Sequence, residues 1–305
     1  MSGVVLDGKK INQDILNDLR PRIEALRAKA RAPSLAVVLV GNDPASQIYV
    51  RNKIKACQDL GIRSLDATPS ADIGTQDLLG IVRRFNHDPQ VDAILVQSPL
   101  PKRIDEREIL LAIDPAKDAD GFHPFNVGCL VANWPAPRAC TPAGIIEMLK
   151  RYQIPIAGKR AVVVGRSDIV GKPMALMLLH ENATVTICHS KTKDLETECR
   201  RAEILVAAIG KPALIARDHL SPGVVVVDVG MNRLSDEAEV QRLFAHDVRR
   251  IAAFAKNGST LVGDVEPLAM QEVSAAYTPV PGGVGPLTIA MLMANTVRLA
   301  EQHLA

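Results

Sequence analysis

An α/β chain of two domains is what this sequence predicts, and three observations carry that expectation. Short apolar runs rich in β-branched residues recur, the clearest at 35–40, 93–96, 161–164 and 224–229, and most are followed by a helical stretch. Runs of this kind are strands buried on both faces of a parallel, helix-covered sheet. A proline-rich segment at 135–142 interrupts the alternation and reads as the crossing between domains. The 305 residues are enough for two separate cores.

The first domain reads as follows. Residues 9–30 are polar, with Ile11, Ile15, Leu19, Ile23 and Leu26 at helical spacing, so they predict a surface helix interrupted near Pro21. The strand at 35–40 ends at Gly41. Asp43 and Pro44 then supply an N-cap and a first-turn residue for a helix over 45–60. That helix starts at the carboxyl end of a strand, where α/β sheets place their ligands. A strand near 62–67, a helix at 75–86 and a strand at 93–96 complete an N-terminal αβα domain with a parallel sheet. Gln97, Ser98, Pro99, Leu100 and Pro101 form a rigid turn, 114–124 is a polar loop, and Thr141 is expected to cap a helix from 142 to about 152.

In the second domain, strands are expected at 161–164, 184–187, 204–208 and 224–229. After the first of them come Gly165, Arg166, Ser167, Asp168, Ile169, Val170, Gly171, Lys172 and Pro173, then a helical stretch at 174–179. Strand, glycine turn and helix N-terminus together direct free backbone N–H groups and the helix dipole at one place, which suits a phosphate. The spacing Gly-x-Ser-x-x-x-Gly departs from the dinucleotide fingerprint by a serine and one extra residue. A βα turn that uses glycine only for its backbone freedom is the plain alternative. The residues after the next strand argue for the cofactor: NAD sites usually place an acid there for the ribose, whereas this chain has His189, Ser190, Lys191 and Thr192. With Arg166 in the turn, that pocket suits an extra negative charge, so a Rossmann-type domain binding NADP is predicted.

Residues 234–258 read as an insertion, with an amphipathic helix at 235–246 and a basic pair, Arg249 and Arg250, on a solvated face. Residues 278–286 hold three glycines and three prolines, a stiff loop with close backbone approach. It leads into an apolar helix at 287–303, which is expected to return to the first domain because it would otherwise be exposed. The expected domains are therefore 1–140 with 278–305, and 141–277.

Composition excludes several classes. A net charge of +2 with scattered basic residues, and 3% aromatics, argue against nucleic acid. Five cysteines without a Cys-x-x-Cys pair fit buried thiols in a reducing cytoplasm. Neither a membrane-length apolar run nor a signal-peptide core is seen. The histidines lack metal-ligand spacing and no Gly-x-Ser-x-Gly elbow occurs, so neither a metal nor an acyl-serine is expected. Tyr49 and Lys53 lie four apart on one helix face. An ordinary surface pair is one reading; at a strand's carboxyl end, however, a phenol beside an amine suits a proton carrier. Gln97 and Asp120 leave elements of the same domain. Short-chain dehydrogenases also use Tyr-x-x-x-Lys, but after the glycine turn, whereas here the pair precedes it.

Six ordered motifs carry a resemblance over nearly the whole chain. They are Asp43-Pro44-Ala45-Ser46 with Tyr49-Val50-x-x-Lys53, Val96-Gln97-Ser98-Pro99-Leu100-Pro101, Lys117-Asp118-x-Asp120-Gly121-Phe122-His123, Gly165-Arg166-Ser167-x-Ile169-Val170-Gly171-x-Pro173, Cys188-His189-Ser190, and Pro279-Val280-Pro281-Gly282-Gly283-Val284-Gly285-Pro286. Together they resemble the bifunctional methylenetetrahydrofolate dehydrogenase/cyclohydrolase family. The resemblance implies NADP-dependent oxidation of 5,10-methylenetetrahydrofolate to the methenyl form, then hydrolysis to 10-formyltetrahydrofolate, by a homodimer. It makes Lys53 the catalytic lysine, Tyr49 the ring that packs on the folate and tunes it, Gln97 the amide that orients it, and Asp120 the carboxylate that holds the pterin. Val96, Ser98, Pro281, Gly282, Gly283, Val284 and Gly285 are implied on the folate side. Gly165, Arg166, Ser167 and Ser190 are implied at the NADP phosphates, with a backbone contact from Met231. Ser98 stands where the family usually has leucine and Leu287 where methionine is common, differences that bear on packing near the folate. Two other classes stay open on the residues alone: a different NADP dehydrogenase of similar build, such as a shikimate or amino-acid enzyme, and a non-catalytic NADP-binding protein.

Overall fold

The computed structural model describes residues 3–304. The chain divides into two compact units, one holding the residues up to Ile11 with Thr141–Leu287, the other Asn12–Cys140 with the residues from Thr288 on. In chain order the strands are Val4–Val5 (β1), Ser34–Val38 (β2), Arg63–Ala67 (β3), Ala93–Val96 (β4), Arg160–Val164 (β5), Thr184–Cys188 (β6), Ile204–Ala207 (β7), Val225–Asp228 (β8), Asn232–Leu234 (β9), Thr260–Val262 (β10) and Ala276–Tyr277 (β11).

The Asn12–Cys140 unit is built on a parallel sheet in the order β3-β2-β4. All of β2 is buried, and Ala36, Val38 and Ile94 pack with Leu78, Leu79 and Val82 in one core. Helix Pro44–Leu60 is capped as expected, the Asp43 carboxylate accepting from the Ser46 N–H at 2.8 Å, and it ends at Gly61 with φ 71°. Helix Gly8–Ala28 runs through Pro21 without the expected break. Proline in a helix interior costs roughly 3 kcal/mol. The buried stripe of Ile15, Leu19, Ile23 and Leu26 outweighs that, at about 1.5–3 kcal/mol for each side chain. The last helix, Gly285–Gln302, joins this unit from Thr288 on, as the apolar content of 287–303 predicts. Leu292, Met293, Val297, Leu299 and Ala300 are fully buried. The Asn295 amide donates to the Ala119 and Arg138 carbonyls, both at 2.9 Å.

The other unit is a six-stranded sheet in the order β1-β11-β8-β7-β5-β6, every pair parallel. Both faces are covered: Ala161, Val163, Ile204, Val206 and Val227 pack against Ile145, Leu149, Met174 and Leu178. Val162, Val164, Leu205 and Val226 pack against Cys199, Ile215, Leu220 and Met270. This double burial is why these strands read as unbroken apolar runs.

Three expectations shift. Residues up to Ile11, and 278–287, go with this sheet and not with the N-terminal ranges, because Val4 and Val5 of β1 pair with Ala276 and Tyr277 of β11. The helix after the proline-rich segment starts at Cys140, one residue before the expected Thr141 cap, so the crossing leads straight into a helix. Residues 234–258 form two helices, Glu237–Phe244 and Val248–Asn257, between the antiparallel strands β9 and β10. Val240, Leu243 and Phe244 are buried with Val262, so the segment has a small core of its own where a solvated face was expected. Among the described residues no helix is long and apolar enough to cross a membrane. All five cysteines are free and buried.

Candidate active site

Two backbone features bring Lys53 and Gln97 to one point. Helix Pro44–Leu60 begins just past the carboxyl end of β2. Beside it, β4 is registered with Val96 opposite Val38, and the Gln97 N–H donates to the Val38 carbonyl at 2.9 Å. Gln97 thus leaves the sheet at that same end, where Lys53 Nζ donates to Gln97 Oε1 at 2.9 Å. The Gln97 Nε2 donates to the Ser98 carbonyl at 2.6 Å, which fixes the amide with its acceptor toward the lysine. Lys53 is only 8% exposed, and a lysine so buried is normally paired. Tyr49, one turn earlier on the helix, is 46% exposed, so its ring is open to a ligand. Ser98 is exposed and Val96 half-buried.

Asp120 is held in this cluster by a loop whose other polar residues are structural. The Asp118 carboxylate accepts from the Gly121 and His123 N–H groups and the Asn126 amide at 3.0, 2.8 and 2.9 Å. Lys117 Nζ donates to the Phe85, Asn86 and Asp88 carbonyls, tying the loop to the end of helix Thr75–His87. Gly121 has φ +72°, and a Cβ there would lie 2.5 Å from the Arg138 backbone. Among the described residues no protein hydrogen bond engages Asp120. Burial pushes its carboxyl up to about 6, the Lys53 charge pulls it back down, and Asp118 pushes it up. Lysine, amide and carboxyl thus share one electrostatic environment.

The glycine turn of the other unit has the shape its sequence predicts. Gly165 sits at φ +129°, and a Cβ there would meet the Ala208 carbonyl oxygen at 2.1 Å; one on Gly171 would meet the Gly165 carbonyl at 2.3 Å. Both close approaches require glycine. The Ser167 hydroxyl accepts from the Val170 and Gly171 N–H groups at 3.2 Å, closing the turn onto helix Gly171–His180. Arg166, Ser167 and Ser190 are exposed. Val164 of β5 lies opposite Cys188 of β6, so Arg166 and Ser190 leave the same end of adjacent strands. This geometry is that of an anion site at a helix N-terminus, with a cation and a hydroxyl at the same strand ends.

In the proline-glycine loop, Gly282 has φ +107°, and a Cβ on Gly283 would lie 2.6 Å from that of Thr278. Gly8 N–H donates to the Gly282 carbonyl at 3.0 Å. Pro281 is exposed, Gly282 half-buried and Gly283 buried. Val284 is buried among Ile145, Val163 and Met174, so its side chain serves packing. A Cβ on Gly285 would stand 3.3 Å from the Met231 methyl, which places Met231 beside this loop.

Sequence reasoning missed two carboxylates that brace the dinucleotide end. Asp228, ending β8, accepts from the Gly230, Asp264 and Val265 N–H groups at 2.8–2.9 Å. Asp264 accepts from Gly210 and Lys211 N–H at 3.0 and 2.9 Å and from the Asn232 amide at 2.9 Å. Burial pushes the Asp228 carboxyl up to about 7 against those N–H donors. An acid at a strand's carboxyl end was the available signal.

A Rossmann-type sheet with a glycine turn, and a lysine–amide–carboxyl cluster at the carboxyl end of a second parallel sheet, define an NAD(P)-linked α/β enzyme. Comparison with known proteins narrows this class. The family model described as "Tetrahydrofolate dehydrogenase/cyclohydrolase, catalytic domain" matches residues 6–120, and the "Tetrahydrofolate dehydrogenase/cyclohydrolase, NAD(P)-binding domain" matches residues 139–304. Bifunctional protein FolD of Solibacter usitatus is 60% identical, with 98% of each chain covered. The crystal structure of the bifunctional enzyme FolD from Campylobacter jejuni aligns with a TM-score of 0.89 at 43% identity, covering 98% of this chain and 99% of that one. FolD of Trypanosoma brucei, solved with NADP cofactor and inhibitor, aligns at 0.88 and 35% identity over 100% of this chain and 99% of its own. The chain belongs to the tetrahydrofolate dehydrogenase/cyclohydrolase family.

Proposed function

We propose that this enzyme oxidises 5,10-methylenetetrahydrofolate to 5,10-methenyltetrahydrofolate with NADP and hydrolyses that product to 10-formyltetrahydrofolate, with Lys53 moving the protons. The observation that carries the reading is the 2.9 Å contact from Lys53 Nζ to an amide whose other end is fixed, beside the carboxyl of Asp120. NADP, when bound, supplies the hydride acceptor. The protein's part in oxidation is to hold the folate, which by positioning alone lowers a barrier by several kcal/mol. Tyr49 offers its exposed ring to the folate and Asp120 a carboxyl to the pterin, with Val96, Ser98 and the 281–285 backbone completing the folate contacts. In hydrolysis, water adds to the methenyl carbon and loses one proton; the bond from that carbon to N5 then breaks as the added hydroxyl loses its second proton and N5 gains one, which leaves the formyl group on N10. Lys53 is the group within the cluster that carries the proton, and Gln97 orients it.

Gly165, Arg166, Ser167 and Ser190 would hold the cofactor phosphates, with the Met231 backbone beside them. Arg166→Gln is expected to weaken NADP binding by about 1.5–3 kcal/mol, roughly 10- to 150-fold, the range for a charge-assisted hydrogen bond. NAD binding should barely change; titration of both cofactors checks this, and equal weakening would remove the assignment. Function itself is tested by following methenyl absorbance from methylenetetrahydrofolate with NADP and, in parallel, with NAD. A homodimer in the cytoplasm, acting on folates and on neither nucleic acid nor membrane, completes the reading. The buried free thiols and the net charge of +2 support it, and sedimentation velocity checks the dimer.

A further inference from the structure

We propose that Arg250, supplied by the 234–258 segment, is a positioning residue that fixes the Val280 carbonyl and thereby the Pro281–Gly282–Gly283 turn. The proposal rests on the reading that this turn contacts folate. Its basis is the way the segment presents a single guanidinium. Nη1 donates to the Leu261 carbonyl at 2.7 Å and Nη2 to the Val280 carbonyl at 2.6 Å. The guanidinium carbon lies 4.4 Å from the centroid of the Phe244 ring, and Phe244 is itself buried in the core of the segment. The carboxylate of Asp247, which caps the same helix, lies 3.9 Å from Nε. A planar fork that bridges two carbonyls while lying over an aromatic ring is a task for arginine and not for lysine.

The loop has few other means of holding that point. Pro279 and Pro281 flank Val280 and carry no N–H, so the stretch cannot extend the ladder of β11. Its neighbouring anchors are elsewhere: the Thr278 hydroxyl bridges the Asp228 N–H and carbonyl, Gly283 N–H donates to the Pro279 carbonyl, and Gly8 N–H holds Gly282. Packing does not substitute for the guanidinium either. A cavity of about 580 Å³, lined by Phe244, Arg250, Leu268, Tyr277, Pro279 and Val280 among others, opens beside this point. A carbonyl next to empty space is free to shift unless a donor holds it. A shift of an ångström in a substrate-holding loop is enough to cost substantial binding or rate.

The experiment compares full-length Arg250→Gln and Arg250→Lys with the parent by hydrogen exchange at Gly282, Gly283 and Gly285, and by steady-state kinetics. Arg250→Gln should speed exchange at these amides at least about tenfold, the effect of losing a charged hydrogen bond. It should raise KM for methylenetetrahydrofolate by a similar factor, with kcat and the KM for NADP within about twofold. Arg250→Lys, which keeps the charge on a single donor nitrogen, should recover part of both effects, and it decides by the same readings if the glutamine variant does not fold. Unchanged exchange at these glycines in the folded variants would overturn the proposal, as would a fall in kcat with folate KM unmoved. Faster exchange with every kinetic constant unchanged would leave the brace standing and remove the assignment of this turn to folate.

Discussion

Lys53→Met should cut hydrolysis of methenyltetrahydrofolate at least about 100-fold, the usual cost of losing a positioned acid–base group, while oxidation of methylenetetrahydrofolate stays measurable. Methionine keeps the helix and most of the side-chain volume and removes the amine that donates to Gln97 Oε1. Oxidation moves no proton at the one-carbon centre, so it depends on how the folate is seated. The same substitution removes the positive charge that holds the Asp120 carboxyl down. Burial and the Asp118 charge then push that carboxyl above about 6, and the acid stays protonated to higher pH. If ionised Asp120 holds the pterin, folate affinity in the parent falls as pH drops through about 6, and in Lys53→Met the fall begins at higher pH. Tyr49→Phe should be milder, since the ring remains to stack. The test assays each half-reaction alone, one with methenyltetrahydrofolate and the other with methylenetetrahydrofolate and NADP, across pH. Intact hydrolysis with abolished oxidation would show the lysine assignment wrong and make Asp120 the next candidate.

How much of this was legible in the sequence depends on how local each cause is. Strands β2, β4, β5, β7 and β8 are buried on both faces, and an unbroken β-branched run is the direct trace of that burial. The Gly165 turn and the Asp43 cap are set by residues a few positions apart, so they too could be read. The meeting of Lys53 with Gln97, 44 positions away, follows from the pairing of β2 with β4. Sequence spacing suggested only the Tyr49–Lys53 face, and the resemblance supplied the rest. Pro21 misled because its local cost is overridden by a stripe of buried side chains. The two-residue β1 was missed because its pairing with β11 spans nearly the whole chain. Arg249 and Arg250 form one basic pair in sequence, yet Arg249 is exposed and Arg250 turns inward to two carbonyls. Asp228 and Asp264 likewise act on backbone N–H groups that the fold alone brings to them.

Deleting the residues from Thr288 on should leave no stably folded Asn12–Cys140 unit. Leu292, Met293, Val297 and Leu299 are each fully buried in it, and truncating one buried leucine or methionine to alanine costs about 2–5 kcal/mol. Three such losses, with the smaller one of Val297, together reach the roughly 5–15 kcal/mol by which a whole domain is stable. Polar losses add to this, because without Asn295 the Ala119 and Arg138 carbonyls lose their donor at about 1–3 kcal/mol for each buried group left unpaired. The Arg22–Glu301 pair, with contacts of 2.9 and 2.6 Å, is half exposed and weighs little beside these. Asn295→Leu offers a graded version: it leaves the apolar contacts of the helix in place and removes the amide. It should lower stability by a few kcal/mol and still fold. Circular dichroism and chemical denaturation of both variants check the ranking, and a folded, active truncation would show that this helix is not what closes the core. The Ala119 carbonyl sits one residue before Asp120, so loss of Asn295 should also loosen the carboxyl proposed to hold the pterin. A rise in folate KM for Asn295→Leu beyond its change in kcat is therefore expected.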